Sequence, residues 1–431
     1  MASREESHVP LIGMPPSPIR VVFLTFYFEA WDALAGIHAE MLKSDLLDVK
    51  VISIPRRFRK DEPFHGEDLV SGFLDSVGVA HERFDFEDSF DGLAKLREFQ
   101  PDYVFINYPW QRNYQPGYRV GNLAEFTKVC YVPYYSLGLV KEPLWDGIAP
   151  HIYTQRSHQL SSLVFTPDAE TRDAYASTSR GNEHVHFTGS PKLDALIRRV
   201  LEEEPYWPLN NPGNRRLIWA PHHSFTSSWL NFGVFPKVFE EMLDFAKSNP
   251  ELDIVLRPHP IMFGSLVSGG FIAEARLESW KQEWTSLPNA TIDGDGDIAK
   301  LFSASDLLIT DGISFLGEYP LATGKPAIYF ENKDHWKWSK LGELAYASNI
   351  RVSNFEEFQI AFEGISANGL PDYSASIEKL RRAARPFPGL VASKIVEVVL
   401  NDFERQTPLV DKPLVTEVPW EQLPGAEAPW D

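Results

Sequence analysis

Residues 305–334 read SDLLITDGISFLGEYPLATGKPAIYFENKD, and their pattern decides the fold. Leu307-Leu308-Ile309 is a short apolar run, Ser314 to Ala322 has the apolar spacing of a helix, and Ala327 to Phe330 is apolar again after a turn at Gly324. That order predicts strand, helix and a second parallel strand. Thr310-Asp311-Gly312-Ile313-Ser314 fills the turn into the helix. Such a turn gathers unpaired backbone N–H groups, the positive end of a helix dipole and two hydroxyls at one point, which suits an anion such as phosphate. For a single unit of this kind, Asp311 or Ser314 serving as a helix cap is the simpler account. A ligand needs support from elsewhere in the chain.

The same alternation extends in both directions. Arg20 to Phe26 and Asp48 to Ile54 are apolar strands around a helix from Trp31 to Lys43. Further strands are expected at 102–107, 128–133, 163–166, 185–188, 217–220, 253–256 and 290–293, with helices at 234–248, 271–283, 374–384 and 390–404. Strands alternating with helices predict parallel sheets covered on both faces. In a chain of 431 residues two such domains are expected. The break falls in Glu202 to Asn214, where prolines and asparagines interrupt the periodicity. This gives a flexible leader (1–18), an N-terminal Rossmann-like domain (19–204), a C-terminal one (215–404) and a tail (405–431).

Composition narrows the function. A net charge of −19 argues against a nucleic-acid groove, which demands clustered Lys and Arg. The one dense basic stretch, Arg56-Arg57-Phe58-Arg59-Lys60, reads as a solvated loop. The single cysteine, Cys130, lies in an apolar run and is expected in a buried strand, which leaves no intrachain disulfide and no thiolate metal site. The first residues lack the basic start and apolar core of a secretion signal, and no apolar run approaches a membrane span. A cytoplasmic protein, at most peripheral at the inner face of a membrane, is expected.

In open parallel sheets ligands bind beyond the carboxyl ends of the strands. There the sequence places Pro221-His222-His223-Ser224, Arg257-Pro258-His259-Pro260 and Thr310-Asp311-Gly312-Ile313-Ser314. Pro258 favours an extended backbone that would put Arg257 and His259 on one face as a cationic pair for a phosphate. In an extended chain His222 and His223 would point opposite ways, so one of them, preferably His223, would face the ligand. No third ligand nearby in sequence supports a zinc site. Glu318 shares a helix face with Ser314 and would either accept ribose hydroxyls or pair with Lys325. Asp293, Asp295 and Asp297 fail the calcium-loop pattern, and Asp297 is expected to cap the next helix. Gly189-Ser190-Pro191 ends a strand and starts a helix, with Ser190 a natural cap, and an ordinary capped helix start is its simpler account. In the first half, residues 29–32, Tyr108, Trp110, Tyr134, Tyr135 and Ser136 follow strands and suit a polyol or sugar acceptor.

Taken in order, TGSPKLDAL (188–196), LIWAPHHSF (217–225), IVLRPHP (254–260) and the 305–330 stretch resemble the CDP-glycerol glycerophosphotransferases, the teichoic-acid and capsule polymer enzymes. The opening VVFLTFYFEAWDALAGIHAEMLKSD (21–45) is similar to the capsule-type branch. The resemblance implies a GT-B fold, two Rossmann-like domains facing across a cleft, with the donor nucleotide on the C-terminal one and the acceptor on the N-terminal one. It implies no metal and no cofactor beyond the donor, CDP-glycerol or a related CDP-polyol, and a glycan or lipid-linked acceptor. By position His259 would contact the donor pyrophosphate with Arg257 beside it, while Gly189, Ser190, His222, Thr310, Asp311, Gly312, Ser314 and Glu318 would complete the donor site. The teichoic-acid polymerases carry a histidine followed by Gly-Thr-Pro after an N-terminal strand, thought to be the base. The matching stretch here is Val132-Pro133-Tyr134-Tyr135-Ser136, without histidine, so Asp32 or His38 is left to substitute. A nucleotide-sugar glycosyltransferase, a nucleotide-sugar 2-epimerase and a non-catalytic nucleotide-binding protein remain rival readings.

Overall fold

A computed structural model describes residues 18–58, 62–143, 151–227, 229–294 and 297–410. The leader before residue 18, the tail beyond 410, Arg59, Lys60 and Asp295 lie outside the described residues. Two parallel sheets form the frame. The first holds β1 (Ile19–Thr25), β2 (Leu47–Ser53), β3 (Glu82–Arg83), β4 (Tyr103–Ile106), β5 (Lys128–Tyr131), β6 (Leu163–Thr166) and β7 (Val185–Phe187) in the order β3-β2-β1-β4-β5-β6-β7. The second holds β8 (Arg215–Ala220), β9 (Leu252–Leu256), β10 (Ala290–Ile292), β11 (Leu307–Thr310), β12 (Ile328–Phe330) and β13 (Ile350–Val352) in the order β10-β9-β8-β11-β12-β13. All the strand pairings are parallel. Both sheets reverse their winding beside their first strand, between β1 and β4 and between β8 and β11, and such switch points open a crevice at the strands' carboxyl ends.

The central strands are apolar throughout because helices cover both faces: β4, β6, β9 and β11 are buried at every position. Cys130 is buried in β5, as expected. The helix Ile313–Thr323 follows β11 and ends at Gly324, whose φ of 72° is a conformation glycine adopts without a Cβ clash. Pro320 lies inside this helix and has no N–H for the carbonyl of Leu316, so the Asn349 side-chain amide donates to it instead at 2.8 Å. Asp297 and Ser190 cap their helices as their positions predict, accepting from the N–H groups of Ala299 and Leu193.

Packing crosses the sequence boundary between the halves. The last helix, Val391–Arg405, belongs by position to the C-terminal half, yet Val391, Ile395, Val396 and Val399 complete the core of the first sheet. There Asp402 accepts from Lys128 at 2.6 Å and from the Tyr103 hydroxyl at 2.5 Å. Conversely, Leu193, Leu196 and Ile197 of the helix Pro191–Glu202 join Leu137 and Leu139 in a core with residues of the second sheet. The strap carrying Leu137 and Leu139 is pinned there, with Ser339 Oγ donating to the Gly138 carbonyl at 2.6 Å and the Lys141 N–H to Lys337 O at 2.8 Å. A Cβ on Gly342 would lie 1.9 Å from the carbonyl oxygen of Leu139, so this approach requires a glycine.

Candidate functional site

The ends of β8, β9 and β11 meet at one place, and three imidazoles occupy it. The rings of His222 and His223 lie 4.3 Å apart, those of His223 and His259 4.0 Å, and those of His222 and His259 5.8 Å, centroid to centroid. The extended backbone expected at His222-His223 is therefore corrected: the chain bends here and sends both rings to one cluster. Asp311 explains the bend. Its carboxylate accepts the N–H groups of His222 and, at 2.6 Å, of Val234, tying the loop after β8 to the end of β11. Ser224 finishes the turn, its hydroxyl within 2.8 Å of His222 Nδ1 while accepting the N–H of Phe232 at 3.0 Å.

Asp311 is thus a brace, and neither it nor Ser314 caps the helix. The position before the first helical residue is Gly312, and no side chain accepts from the first turn. Thr310 is also inward: its hydroxyl donates to Ala220 O at 2.7 Å and accepts from the Gly312 N–H at 2.9 Å. Ser314 stands exposed on the first turn. A Cβ on Gly312 would lie 3.8 Å from the His222 ring, which places the open start of the helix beside the histidines. The N–H groups of that turn and its dipole end remain available to an anion.

Arg257 and His259 do not share a face. The Arg257 guanidinium turns toward β10, where it donates to Asp293 O at 3.1 Å and lies 3.3 Å from the Asp293 carboxylate. His259 turns the other way, to the end of β8. Glu318 makes no pair with Lys325, whose ammonium reaches Ser305 O at 2.6 Å; its carboxylate instead accepts the hydroxyl of Ser136 from the N-terminal strap. Gly189, with φ of 89°, and Ser190 shape the start of the helix Pro191–Glu202. Asp32 is held 2.9 Å from Arg199, which also pairs with Glu203 and Asp297. His38 lies in the last turn of its helix against Phe23 and Trp31, with ring centroids 5.5 and 5.9 Å away. A carboxylate locked in an ion pair and an imidazole seated among aromatic rings are poorly disposed to serve as the base.

One cation was passed over in sequence. Lys192, next to Pro191 at the start of its helix, hydrogen-bonds Tyr134 O at 3.2 Å and exerts its charge on His259. It stands between the two domains. Its place in TGSPKLDAL was visible, but nothing local showed that the helix start would face the end of β9. Burial, with the Lys192 charge adding to it, pushes His259 down to about 4, and burial drives His222 and His223 well below the usual histidine range. The three imidazoles are consequently neutral near pH 7. Burial raises Asp311 to about 7 against the pull of its backbone N–H donors.

Opposite the histidines, the N-terminal strand ends present tyrosines. Tyr27 after β1, Tyr108 after β4 and Tyr134 after β5 cluster in tilted and edge-on contacts, with centroid separations of 4.7 Å (Tyr27–Tyr108), 5.3 Å (Tyr108–Tyr134) and 5.8 Å (Tyr27–Tyr134). Tyr135 joins Tyr134 at 5.8 Å, and Trp110 meets Trp229 of the C-terminal domain at 6.3 Å. Among the described residues no group of three or more His, Cys, Asp or Glu is placed to hold a metal ion, and no helix is long and apolar enough to cross a membrane.

No protein-family model matches the sequence, and no curated protein matches it. Solved structures do match in fold. A UDP-N-acetylglucosamine 2-epimerase superposes with a TM-score of 0.59 at 13% identity, covering 92% of this chain and 98% of the other. The UDP-GlcNAc 2-epimerase of Neisseria meningitidis bound to UDP-GlcNAc gives 0.55 at 15% identity, with 89% and 99% covered. The wall teichoic acid polymerase TagF, in a structure soaked with CDPG, gives 0.53 at 13% identity, with 90% of each chain covered. At these identities the likeness establishes architecture: the chain has the GT-B fold, two parallel-sheet α/β domains wound in the same way.

Proposed function

We propose that the protein is a GT-B transferase that moves a polyol phosphate, glycerol phosphate in the first instance, from a CDP-linked donor to an acceptor hydroxyl, releasing CMP. The observation that carries this reading is the convergence of His222, His223 and His259 with the open start of the helix Ile313–Thr323, faced by Lys192. Neutral imidazole N–H donors, free backbone N–H groups and a helix dipole grip a diphosphate without the repulsion that a free carboxylate would bring. The carboxylates brought to this region, Asp311, Glu318 and Asp32, are engaged by backbone N–H groups, by Ser136 and by Arg199 respectively.

In the reaction the acceptor oxygen attacks the β-phosphorus in line, the bond from that phosphorus to the bridging oxygen breaks, and CMP carries the bridging oxygen away. Charge developing on the leaving phosphate is met by Lys192 and the helix N–H groups. The acceptor proton passes to a neutral imidazole of the cluster, for which His259 and His223 are the candidates, with a contribution of ~10²- to 10⁴-fold typical of general-base help. Tyr27, Tyr108 and Tyr134 supply a floor for the polyol or sugar of the acceptor. Incubation with CDP-glycerol, CDP-ribitol and a panel of nucleotide sugars that includes UDP-GlcNAc tests the reading through the nucleotide released. CMP from a CDP-polyol is the expected product. UDP release or conversion of UDP-GlcNAc, with CDP-polyols inert, would replace the proposal by a nucleotide-sugar enzyme.

A further inference from the structure

Asp311 braces the backbone at His222, but the ring is held by a different residue, Ser224, two positions further along. The Ser224 N–H donates to His222 Nδ1 at 3.2 Å, and the Ser224 hydroxyl lies 2.8 Å from the same nitrogen. A ring nitrogen that accepts an N–H offers its lone pair there and carries no hydrogen. The His222 imidazole is therefore neutral, with its one proton on Nε2. The same condition fixes the hydroxyl. Its oxygen accepts the Phe232 N–H at 3.0 Å, and its proton points at Nδ1. Two donors from one buried residue, Ser224 being 2% exposed, thus meet on a single ring nitrogen.

That lock decides what the far side of the ring does. Cδ2, the carbon bonded to Nε2, lies 3.8 Å from the place a Cβ on Gly312 would take, so the edge bearing the N–H faces the open start of the helix Ile313–Thr323. Nε2–H and the backbone N–H groups of that turn are donors side by side, and an anion placed there accepts from both. The opposite tautomer would present a lone pair to the same place and repel the anion. Nor is His222 free to take up a proton. Its one lone pair is on Nδ1, and protonation there would break both contacts with Ser224.

We propose that Ser224 is a positioning residue that locks His222 in the Nε2–H form, making its ring a fixed donor to an anion at the helix start and withholding it from proton transfer. Naming that anion as the diphosphate of a CDP-linked donor rests on the proposed transfer reaction; the lock itself rests on the Ser224 geometry. The roles within the cluster then divide: His222 holds the anion, and the acceptor's proton goes to another ring.

Long-range proton–nitrogen correlation spectra of the full chain, with its histidines isotope-labelled, read the tautomer of each ring, and the signals missing from His222→Gln identify His222. The Nε2–H form alone is expected in wild type, a mixture with the Nδ1–H form in Ser224→Ala, and a return to Nε2–H in Ser224→Thr, which keeps a hydroxyl. A mixture or the Nδ1–H form in wild type overturns the proposal, and so does a Ser224→Ala spectrum identical to that of wild type. Calorimetric titration with CDP-glycerol and, separately, with inorganic pyrophosphate reads the donor role. The amide nitrogen of His222→Gln reaches the place of Nε2, and that of His222→Asn the place of Nδ1. His222→Asn is expected to bind both ligands about tenfold more weakly than His222→Gln, and Ser224→Ala about threefold more weakly than wild type. Equal affinity in His222→Gln and His222→Asn overturns the donor role. If pyrophosphate follows this ranking while CDP-glycerol binds none of the proteins, the CDP-polyol reading falls and the lock stands.

Discussion

The two sheets are wound alike, yet their carboxyl edges carry opposite chemistry. The second sheet ends in three neutral histidines and an open helix start, all within three short segments that each follow a strand. The first ends in tilted, clustered tyrosines and arginines drawn from loops separated by long stretches of chain. On the function proposed above, one frame would supply a compact grip for a diphosphate and a broad aromatic floor for the acceptor. The strand order builds the crevice; the residues just after each strand decide what it holds.

The contrast breaks most sharply at Asp311, the brace behind the histidines. Asp311→Ala leaves two backbone N–H groups, those of His222 and Val234, without their acceptor. A loss of roughly 2–6 kcal/mol in chemical denaturation is expected, at about 1–3 kcal/mol for each buried N–H. A stability within error of wild type would show that the loops after β8 and β11 are held by something else.

His259→Gln removes the grip while leaving the tyrosine floor. A fall of at least about 100-fold in CMP release is expected, equivalent to roughly 2.7 kcal/mol of barrier, with the fold intact by circular dichroism. The same variant sharpens the electrostatic side of the comparison. His259 sits near 4 in the folded protein against 6.5 unfolded, so the unfolded chain takes the proton first. Its contribution to stability is complete above about 6.5 and is lost as pH falls toward 4. Asp311, raised to about 7 from 3.8, works in the opposite sense: its contribution is complete below 3.8 and lost as pH rises through 7. Denaturation across pH 4 to 6.5 should thus show a shallower acid-side decline in His259→Gln than in wild type, and an unchanged slope would contradict a buried neutral imidazole.

Lys192 joins the two edges. Lys192→Met should slow turnover by about tenfold, roughly 1.4 kcal/mol, because a positive charge near the leaving phosphate is lost. Steady-state kinetics with CDP-glycerol measure it, and full activity would leave the helix start and histidines as the whole grip. The smallest effect is expected at Ser314. Ser314→Ala removes one hydroxyl from an exposed helix turn and should weaken donor binding by about 1 kcal/mol, read as a roughly fivefold rise in the donor dissociation constant.

The sequence showed much of the frame because buried parallel strands are continuous apolar runs, and eleven of these positions were marked in it, from Arg20 to Phe330. Two edge strands escaped. β3 is a two-residue strand, Glu82–Arg83, and β13 is Ile350–Val352 with an exposed arginine at its centre, so neither carries a buried-strand pattern. The positions of His259 after β9, the histidine pair after β8 and the helix start after β11 were legible, but the bend that turns both rings of the pair to one cluster was not, because Asp311 at the end of β11 imposes it. The site was not legible where tertiary contacts decide. The partners of Arg257, Glu318 and Asp32 come from Asp293, Ser136 and Arg199, and no spacing within a segment indicates them. The helix Val391–Arg405 follows the second sheet in sequence but has its apolar face on the first, because that is where uncovered apolar surface remains.

Diffraction from crystals soaked with CDP-glycerol tests the central claim most directly. The account predicts the diphosphate between the rings of His222, His223 and His259 and the N–H groups that begin the helix Ile313–Thr323, with Lys192 turned toward it. A diphosphate bound away from that cluster, or a cluster left empty at saturating donor while nucleotide binds elsewhere, would contradict it.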